Sequence, residues 1–575
     1  MHSATQEEAA PAATHEESVR VVNGTDVRSD SPRATSASRR EWKVVLAWAL
    51  AAFALRLSVL LCFEHVISPD GVEYVAHARK LATGDIANGM STYWAPLYPA
   101  LVGLASLVFR DAEFAGRFVS VVAGAALVIP AHRLTRRWYG RRIALVGASL
   151  VALYPLLVYY STVLLTESTY TLFFTCGVLA GWSALRGTRA RAYALAGAVF
   201  GACYLLKPEA FGFIPLLLLM VFARHLLTKT GLQRTKDETR RTNDEGTAMK
   251  ARPHHSSIRN ALLLVAGFFA AASPQILYLR WSTGVWLLSG KTAGHILQGA
   301  RLAGGDPSPT PLSGLTDAST ALVRLAKALR FEYEIFNLIF PTVFVLLVAL
   351  GLFRRRWTRA RAVRELYLLA FVAATLAGYA VTLPNIRFLA PLAPLLLCWV
   401  AKGISEFAAW TRETLARFHV AEDFNARACK LVAPILVAVL VVSLAPLFVY
   451  LMRGDKWGDY YGQKRAGVWI REHEVGRGLR APTIMATVPV AAFYAGGRNV
   501  ALAEEDCAAL VSRARREGAS YVVVNERDFK RMDSLRSLLD PRAEHTGLRL
   551  ASEFDEPPDQ RVLVYEVEED VGGVR

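Results

Sequence analysis

The sequence predicts a mainly α, polytopic membrane protein with a small α/β soluble domain at its C-terminal end. Three observations carry this. Long uncharged apolar runs recur along a 575-residue chain that is 53% apolar and only 20% charged, with mean hydropathy +0.27. Lys and Arg come in short clusters between those runs, as in the cytoplasmic loops of polytopic proteins. Beyond residue 452 the pattern changes to short β-branched runs and helical apolar spacings. A net charge of +17 first points to nucleic acid, but its division into inter-span clusters excludes that partner. Six Cys are too sparse for a disulfide scaffold. Cys62, Cys176, Cys203 and Cys398 lie in apolar runs and read as small core hydrophobes.

Residues 1–42 read as a disordered cytoplasmic tail, polar and without apolar period or signal-peptide core. Spans are expected near 43–63, 114–133, 143–160, 163–184, 192–206, 210–227, 259–279, 335–353, 364–383, 388–405 and 431–452, about eleven in all. Arg39, Arg40 and Lys43 before the first span place the N-terminus in the cytoplasm. The run 96–109 is short for a span, and counting it as one would put Arg133, Arg136, Arg137, Arg141 and Arg142 outside. It is therefore assigned as a juxtamembrane helix within a first outer loop, 64–113. Residues 228–258 form a basic cytoplasmic linker, and the membrane part spans 43–452. Residues 453–575 form an outer-face, extracytoplasmic α/β domain, with strands at Pro482–Val488, Ser520–Asn525 and Arg561–Val567 and helices over 459–474 and 505–517.

The outer loops carry the polar residues that are hardest to explain structurally. In Ser68-Pro69-Asp70-Gly71-Val72-Glu73-Tyr74, Asp70 opens an amphipathic helix, with Glu73, Tyr74 and His77 following at helical spacing. One reading makes Asp70 a helix cap with Glu73 as its capping partner; the other makes them functional carboxylates. Ser91–Pro99, with Tyr93, Trp94 and Tyr98, is either an interfacial aromatic belt or a rigid rim over a lipid-facing groove. Glu167, Lys207 and Arg387 stand at outer span ends. Ionisable groups at that depth are costly and are functional or paired, although Lys and Arg also snorkel. Two carboxylates and two cations converging on one face suit group transfer from a lipid phosphate. The cations stabilise the leaving phosphate and a carboxylate takes the acceptor proton.

These residues resemble a known family in their order along the chain. Pro69-Asp70-Gly71-Val72-Glu73-Tyr74, Trp94-Ala95-Pro96-Leu97-Tyr98-Pro99, Ala115-Gly116-Arg117-Phe118, Thr166-Glu167, Lys207-Pro208-Glu209 and Arg387-Phe388-Leu389-Ala390-Pro391-Leu392 resemble the motifs of the GT-C membrane glycosyltransferases. The type is that of the protein mannosyltransferases and aminoarabinose transferases (glycosyltransferase family 39-like). The resemblance covers about residues 44–400. It implies a GT-C fold and a transferase moving a hexose or pentose from a polyprenyl-phosphate-sugar to a lipid, polysaccharide or protein hydroxyl, in the cytoplasmic (inner) membrane, with inversion. It implies Asp70 as catalytic base, Glu73, Tyr74, Tyr98 and Glu167 around the acceptor and sugar, and Lys207 and Arg387 on the donor phosphate. Two departures stand out: the family's second acid is replaced by Gly71, and the His of its proline motif by Trp94-Ala95.

No phosphate loop, HExxH, paired CxxC or dinucleotide fingerprint is found. His65, His77 and His295 are too scattered for a metal site, and a divalent cation has no ligand cluster to support it. The alternatives are a multi-span transporter or lipid flippase, and a scaffold presenting residues 453–575. Transport fits less well because no inverted repeat is visible and the charges sit at one face.

Overall fold

The computed structural model describes residues 32–187, 189–226, 257–290, 326, 330, 333–334, 336–381, 385–453, 460–477, 481–526, 532–539, 545–556 and 560–568. Most of the expected tail, most of the basic linker and His295 lie outside them. The chain divides into two compact units, Met1–Val44 and Val45–Arg575. Residues 32–44 of the first are helical.

The membrane part begins with α1 (Pro32–Cys62), α2 (Pro69–Ala82), α3 (Ile86–Gly89), α4 (Leu97–Ser106), α5 (Ala112–Ala126), α6 (Val128–Tyr139), α7 (Arg141–Leu153), α8 (Pro155–Tyr160), α9 (Glu167–Arg186) and α10 (Arg191–Tyr204). Among the described residues, seven helices are long and apolar enough to cross a bilayer: Arg39–Cys62, Ala112–Tyr139, Pro208–Leu226, Ser257–Thr283, Arg359–Tyr379, Ile386–Arg417 and Glu422–Met452. Each overlaps an expected span. The other four expected spans are also helical, but three are short or broken. The run 143–160 breaks between α7 and α8, because Pro155 cannot donate the amide that would continue the helix. Helix α10 has 14 residues and Thr342–Phe353 has 12. Helix α9 has 20 residues, but its first turns are rich in hydroxyl and acidic groups. Helix α4, with 10 residues, reaches only about 15 Å, half a hydrocarbon core.

Two features fix the packing that carries the site. Gly197 of α10 and Gly267 of helix Ser257–Thr283 meet backbone to backbone: a Cβ on Gly197 would lie 1.9 Å from the Leu264 carbonyl oxygen, and one on Gly267 would lie 2.1 Å from that of Ala194. Small residues at such a crossing let helices approach where no hydrophobic effect drives them together. The second feature is Arg56, fully buried in α1. It donates to the Ala52, Val151 and Ala152 carbonyls at 3.2, 3.2 and 2.8 Å and to Ser161 Oγ at 3.1 Å. Buried guanidinium needs such partners, and here they tie α1 to the end of α7 and to the turn leading into α9.

The C-terminal region carries a five-stranded sheet of order β2-β1-β3-β5-β4, with β1 (Thr483–Ala486), β2 (Arg498–Ala501), β3 (Tyr521–Asn525), β4 (Leu548–Glu556) and β5 (Gln560–Val567). The strands β2, β1 and β3 are parallel; β5 is antiparallel to both β3 and β4. Side chains alternate between two cores. Ile484, Tyr521, Val523 and Val564 pack with Ala466 and Ile470 of helix Tyr461–Arg477. Met485, Val522, Val524 and Leu563 pack with Leu510 and Ala514 of helix Cys507–Arg516. The expected strands and helices are present; β2, β4 and the short helix Val490–Ala495 are additional.

Gly267→Leu is expected to force α10 away from its partner helix and cost at least about 1–3 kcal/mol of stability. The check is thermal unfolding and monodispersity in detergent; parental values in both would contradict the close-packing account.

Candidate functional site

Four separate elements bring their ends to one narrow cleft. Helix α2 supplies Asp70 and Tyr74. The start of α9 supplies Thr166 and Glu167. The turn after α10 supplies Lys207, and the 3-10 turn Ile386–Leu392 supplies Arg387 and Phe388.

Local sequence explains each placement. Ser68 caps α2, its hydroxyl accepting from Gly71 N–H at 3.1 Å. Asp70 is therefore not the cap, and its carboxylate is turned to the cleft. Lys207 follows α10 in extended backbone, where Pro208 starts a new turn. The Asn385 side chain accepts from the Arg387 amide at 3.2 Å and so sets the turn that aims the guanidinium.

The charges form one network. Arg387 Nη1 donates to Asp70 Oδ2 at 2.7 Å. Lys207 Nζ donates to Glu167 Oε1 at 2.8 Å, and Arg387 Nε lies 3.8 Å from that same oxygen. The Glu167 side chain is only 2% exposed, whereas Asp70 and Arg387 are each 26% exposed. Glu167 is thus the deep anchor and the Asp70–Arg387 pair the accessible layer. The Phe388 ring lies 4.8 Å from Lys207 Nζ and 5.0 Å from the Arg387 guanidinium, a shared cation–π platform. Glu167 Oε2 and Arg387 Nε are buried without hydrogen-bond partners, so the site holds unused donor and acceptor capacity.

Aromatic rings form the remaining wall. Tyr74 packs edge-on against Trp94 and Tyr98, each with ring centroids 5.2 Å apart. Burial, reinforced by the negative charge of Asp70 and Glu167, raises the Tyr74 hydroxyl well above its ordinary range. The Ser91 hydroxyl accepts from the Tyr93 and Trp94 amides at 3.1 Å each and holds the rim. The Leu97 amide donates to Leu205 O at 2.9 Å, which seats this segment beside Lys207.

Asp70, Tyr74, Glu167, Lys207 and Arg387 all line the cleft. Two other expected residues do not. Glu73 is half-buried on the flank of α2 and is absent from the lining. Tyr98 is fully buried behind Tyr74, its hydroxyl donating to Gly116 O at 3.0 Å and lying 2.9 Å from Ser120 Oγ. Glu73 is an i+3 residue and lies farther round the helix from Asp70 than the i+4 residue Tyr74. Tyr98 faces the neighbouring helix α5. Tyr93 and Trp94, from the segment expected as a belt or a rim, also line it, as do Thr166, Phe388 and, at the exposed rim, Glu209. The quoted motifs contained them, but aromatics beside spans read equally as an interfacial belt. Among the described residues, no group of three or more His, Cys, Asp or Glu is placed to hold a metal ion.

Gly71 has a packing reason. A Cβ there would lie 2.8 Å from Ile67 Cγ1 and 3.1 Å from the Leu164 carbonyl oxygen. Here α2 passes against the backbone just before α9, and a second acid at this position has no room.

Residues 94–234 match the family described as dolichyl-phosphate-mannose-protein mannosyltransferase. No curated protein matches the sequence. Among solved structures, the chain is similar to ArnT from Cupriavidus metallidurans bound to undecaprenyl phosphate, with 13% identity, 93% of this chain and 98% of that one covered, and TM-score 0.51. It is also similar to the apo oligosaccharyltransferase of Archaeoglobus fulgidus, with 14% identity, 85% and 70% covered, and TM-score 0.51. The fold is that of the GT-C membrane glycosyltransferases. The family match includes Glu167 and Lys207 but neither Asp70 nor Arg387, which the fold brings to them.

Two outcomes follow from this geometry. Gly71→Glu is expected to destabilise the protein instead of adding a working acid, seen as a lowered unfolding midpoint with no gain in any transfer assay. His65, in the segment before α2, is pushed down to about 4 by burial and by the nearby Arg117 charge. Its neutral form therefore adds stability that is full above pH about 6.5 and is lost as pH falls toward 4. A melting series over that window should fall for the parent and fall less for His65→Gln; equal slopes would contradict it.

Proposed function

Taking the GT-C fold as premise, we propose that this protein transfers a sugar from a polyprenyl-phosphate donor to an acceptor hydroxyl at the outer face of the cytoplasmic membrane. The observation that carries this reading is the pairing of Asp70 with Arg387 in a cleft that also holds Lys207 and Glu167. A base and two phosphate-binding cations stand within one sugar's reach of each other.

The donor phosphate binds Lys207 and Arg387, both steadied by Phe388. Arg387 exchanges its Asp70 partner for a phosphate oxygen, which frees the Asp70 carboxylate toward the cleft. The acceptor oxygen attacks the anomeric carbon and its proton passes to Asp70. The bond from that carbon to the phosphate oxygen breaks, its electron pair leaving with polyprenyl phosphate. One displacement inverts the configuration. Cations fixed beforehand on the leaving phosphate supply electrostatic stabilisation without reorganisation. Tyr74 donates to the sugar or acceptor, and Glu167 holds both cations in place. ArnT, of the same fold, has been captured with undecaprenyl phosphate, which supports a polyprenyl carrier here. A transporter or flippase reading is weaker, because the charges gather at one end of the helices, beside the C-terminal domain.

The test is transfer by purified protein from radiolabelled polyprenyl-phosphate sugars covering mannose, glucose and an aminopentose, with envelope lipid, polysaccharide and protein as acceptors. Asp70→Asn should lower turnover by about 10²–10⁴-fold while undecaprenyl phosphate still binds. Lys207→Ala should chiefly weaken binding of undecaprenyl phosphate. Normal transfer by a well-folded Asp70→Asn variant would sink the base assignment. Parental affinity in Lys207→Ala would leave its ammonium as a snorkelling group.

A further inference from the structure

The segment 63–68, between α1 and α2, has neither helix nor strand of its own, yet it sets where α2 begins and so where Asp70 points. Its amide and carbonyl groups are held from outside. The Ile67 N–H donates to the hydroxyl of Tyr494, in helix Val490–Ala495 of the C-terminal domain, at 3.1 Å. That hydroxyl in turn lies 3.1 and 3.2 Å from the two Glu113 carboxylate oxygens and donates to them. Arg117, one turn on in α5, donates both to Glu113 and to the His65 carbonyl. Ser68, the next residue after Ile67, is the cap of α2.

Other contacts grip the same stretch. Tyr461 donates to the Glu64 carbonyl and Lys464 pairs with its carboxylate. The Arg79 guanidinium, near the end of α2, lies 5.7 Å from the Phe493 ring. Val490 and Tyr494 pack in the apolar core of the membrane part, whereas Ala491, Ala492 and Ala495 of the same helix pack under the sheet. The short helix thus belongs to both cores.

We propose that Tyr494 is a positioning residue for the transfer reaction: its hydroxyl locks the Ile67 amide to Glu113 and thereby fixes α2 with Asp70 facing the donor site. The C-terminal domain is then a working part of the catalytic centre, although it places no group in the cleft. The inference rests on the base role proposed for Asp70.

Tyr494→Phe removes only the hydroxyl. Its Ile67 amide loses a partner, so deuterium uptake by the 63–72 peptide should rise about five- to tenfold. Turnover with the donor panel should fall about 10- to 100-fold, as for a catalytic group misplaced by a fraction of an ångström to an ångström. Binding of undecaprenyl phosphate should be unchanged, because Lys207 and Arg387 are untouched. In an Asp70→Asn background the same change should have no further effect on residual transfer. Unchanged deuterium uptake would overturn the lock, whatever the turnover. Parental turnover, or an equal further loss in the Asp70→Asn background, would overturn the positioning role. Normal transfer by Asp70→Asn itself overturns the base, and the positioning role with it; faster uptake in Tyr494→Phe would then still mark the lock as real, which tells the two failures apart.

Discussion

The arrangement depends on one buried carboxylate. Glu167 sits at the first turn of α9 with almost no access to water, and a charge in that position persists only with close partners. Lys207 and Arg387 supply them, one from the end of α10 and one from the turn before helix Ala393–Arg417. Three stretches far apart in sequence must converge to satisfy it. Arg387 then reaches outward to Asp70, so the fourth element joins through the same chain of charge. Both carboxylates lie in the first turn of a helix, where the backbone dipole favours negative charge by about 0.3–1 kcal/mol.

The layering has a chemical consequence on the proposed reading. A carboxylate paired to a guanidinium is a poor base, and a guanidinium paired to a carboxylate is an occupied phosphate ligand. The inner pair, Lys207 with Glu167, is deep enough to keep the frame intact when the outer pair opens. The outer pair is accessible enough to exchange. An arriving phosphate takes one partner and releases the other, so the base becomes available only when a donor is present. This couples the two halves of the reaction without any moving domain.

Much of this is legible in the sequence. The apolar runs mark the helices, and the polar groups left at span ends include Asp70, Glu167, Lys207 and Arg387, which line the cleft. What escaped had local causes. A D-x-x-E spacing fits both a cap and an acid pair, and only the hydroxyl of Ser68, which takes the cap itself, separates them. Glu73 and Tyr74 are neighbours in sequence, but 100° per residue sends only the second into the cleft. Tyr98 and Trp94 share an aromatic segment, yet one backs the wall and the other lines it. Gly71 looked like a lost acid and is a contact with the Leu164 backbone. Short strands such as β2, four residues with no apolar alternation, carry too little pattern to register.

The joint between the two cores was the least legible feature, because nothing near Tyr494 in sequence refers to the loop it holds. Its meaning lies in what the loop lacks. A stretch of six residues with no helix or strand has no internal hydrogen bonds to fix it, and each ordered residue costs about 1–2 kcal/mol of backbone entropy. That cost must be met where the position of Asp70 matters most. Arg117 meets it from the membrane side and Tyr494 from the sheet side, with Glu113 between them. The hydroxyl suits the task because it can accept from an amide and donate to a carboxylate at once, which a Phe ring of the same shape cannot do. On the proposed reading, the sheet region at the far end of the chain is the means by which the first loop keeps its shape.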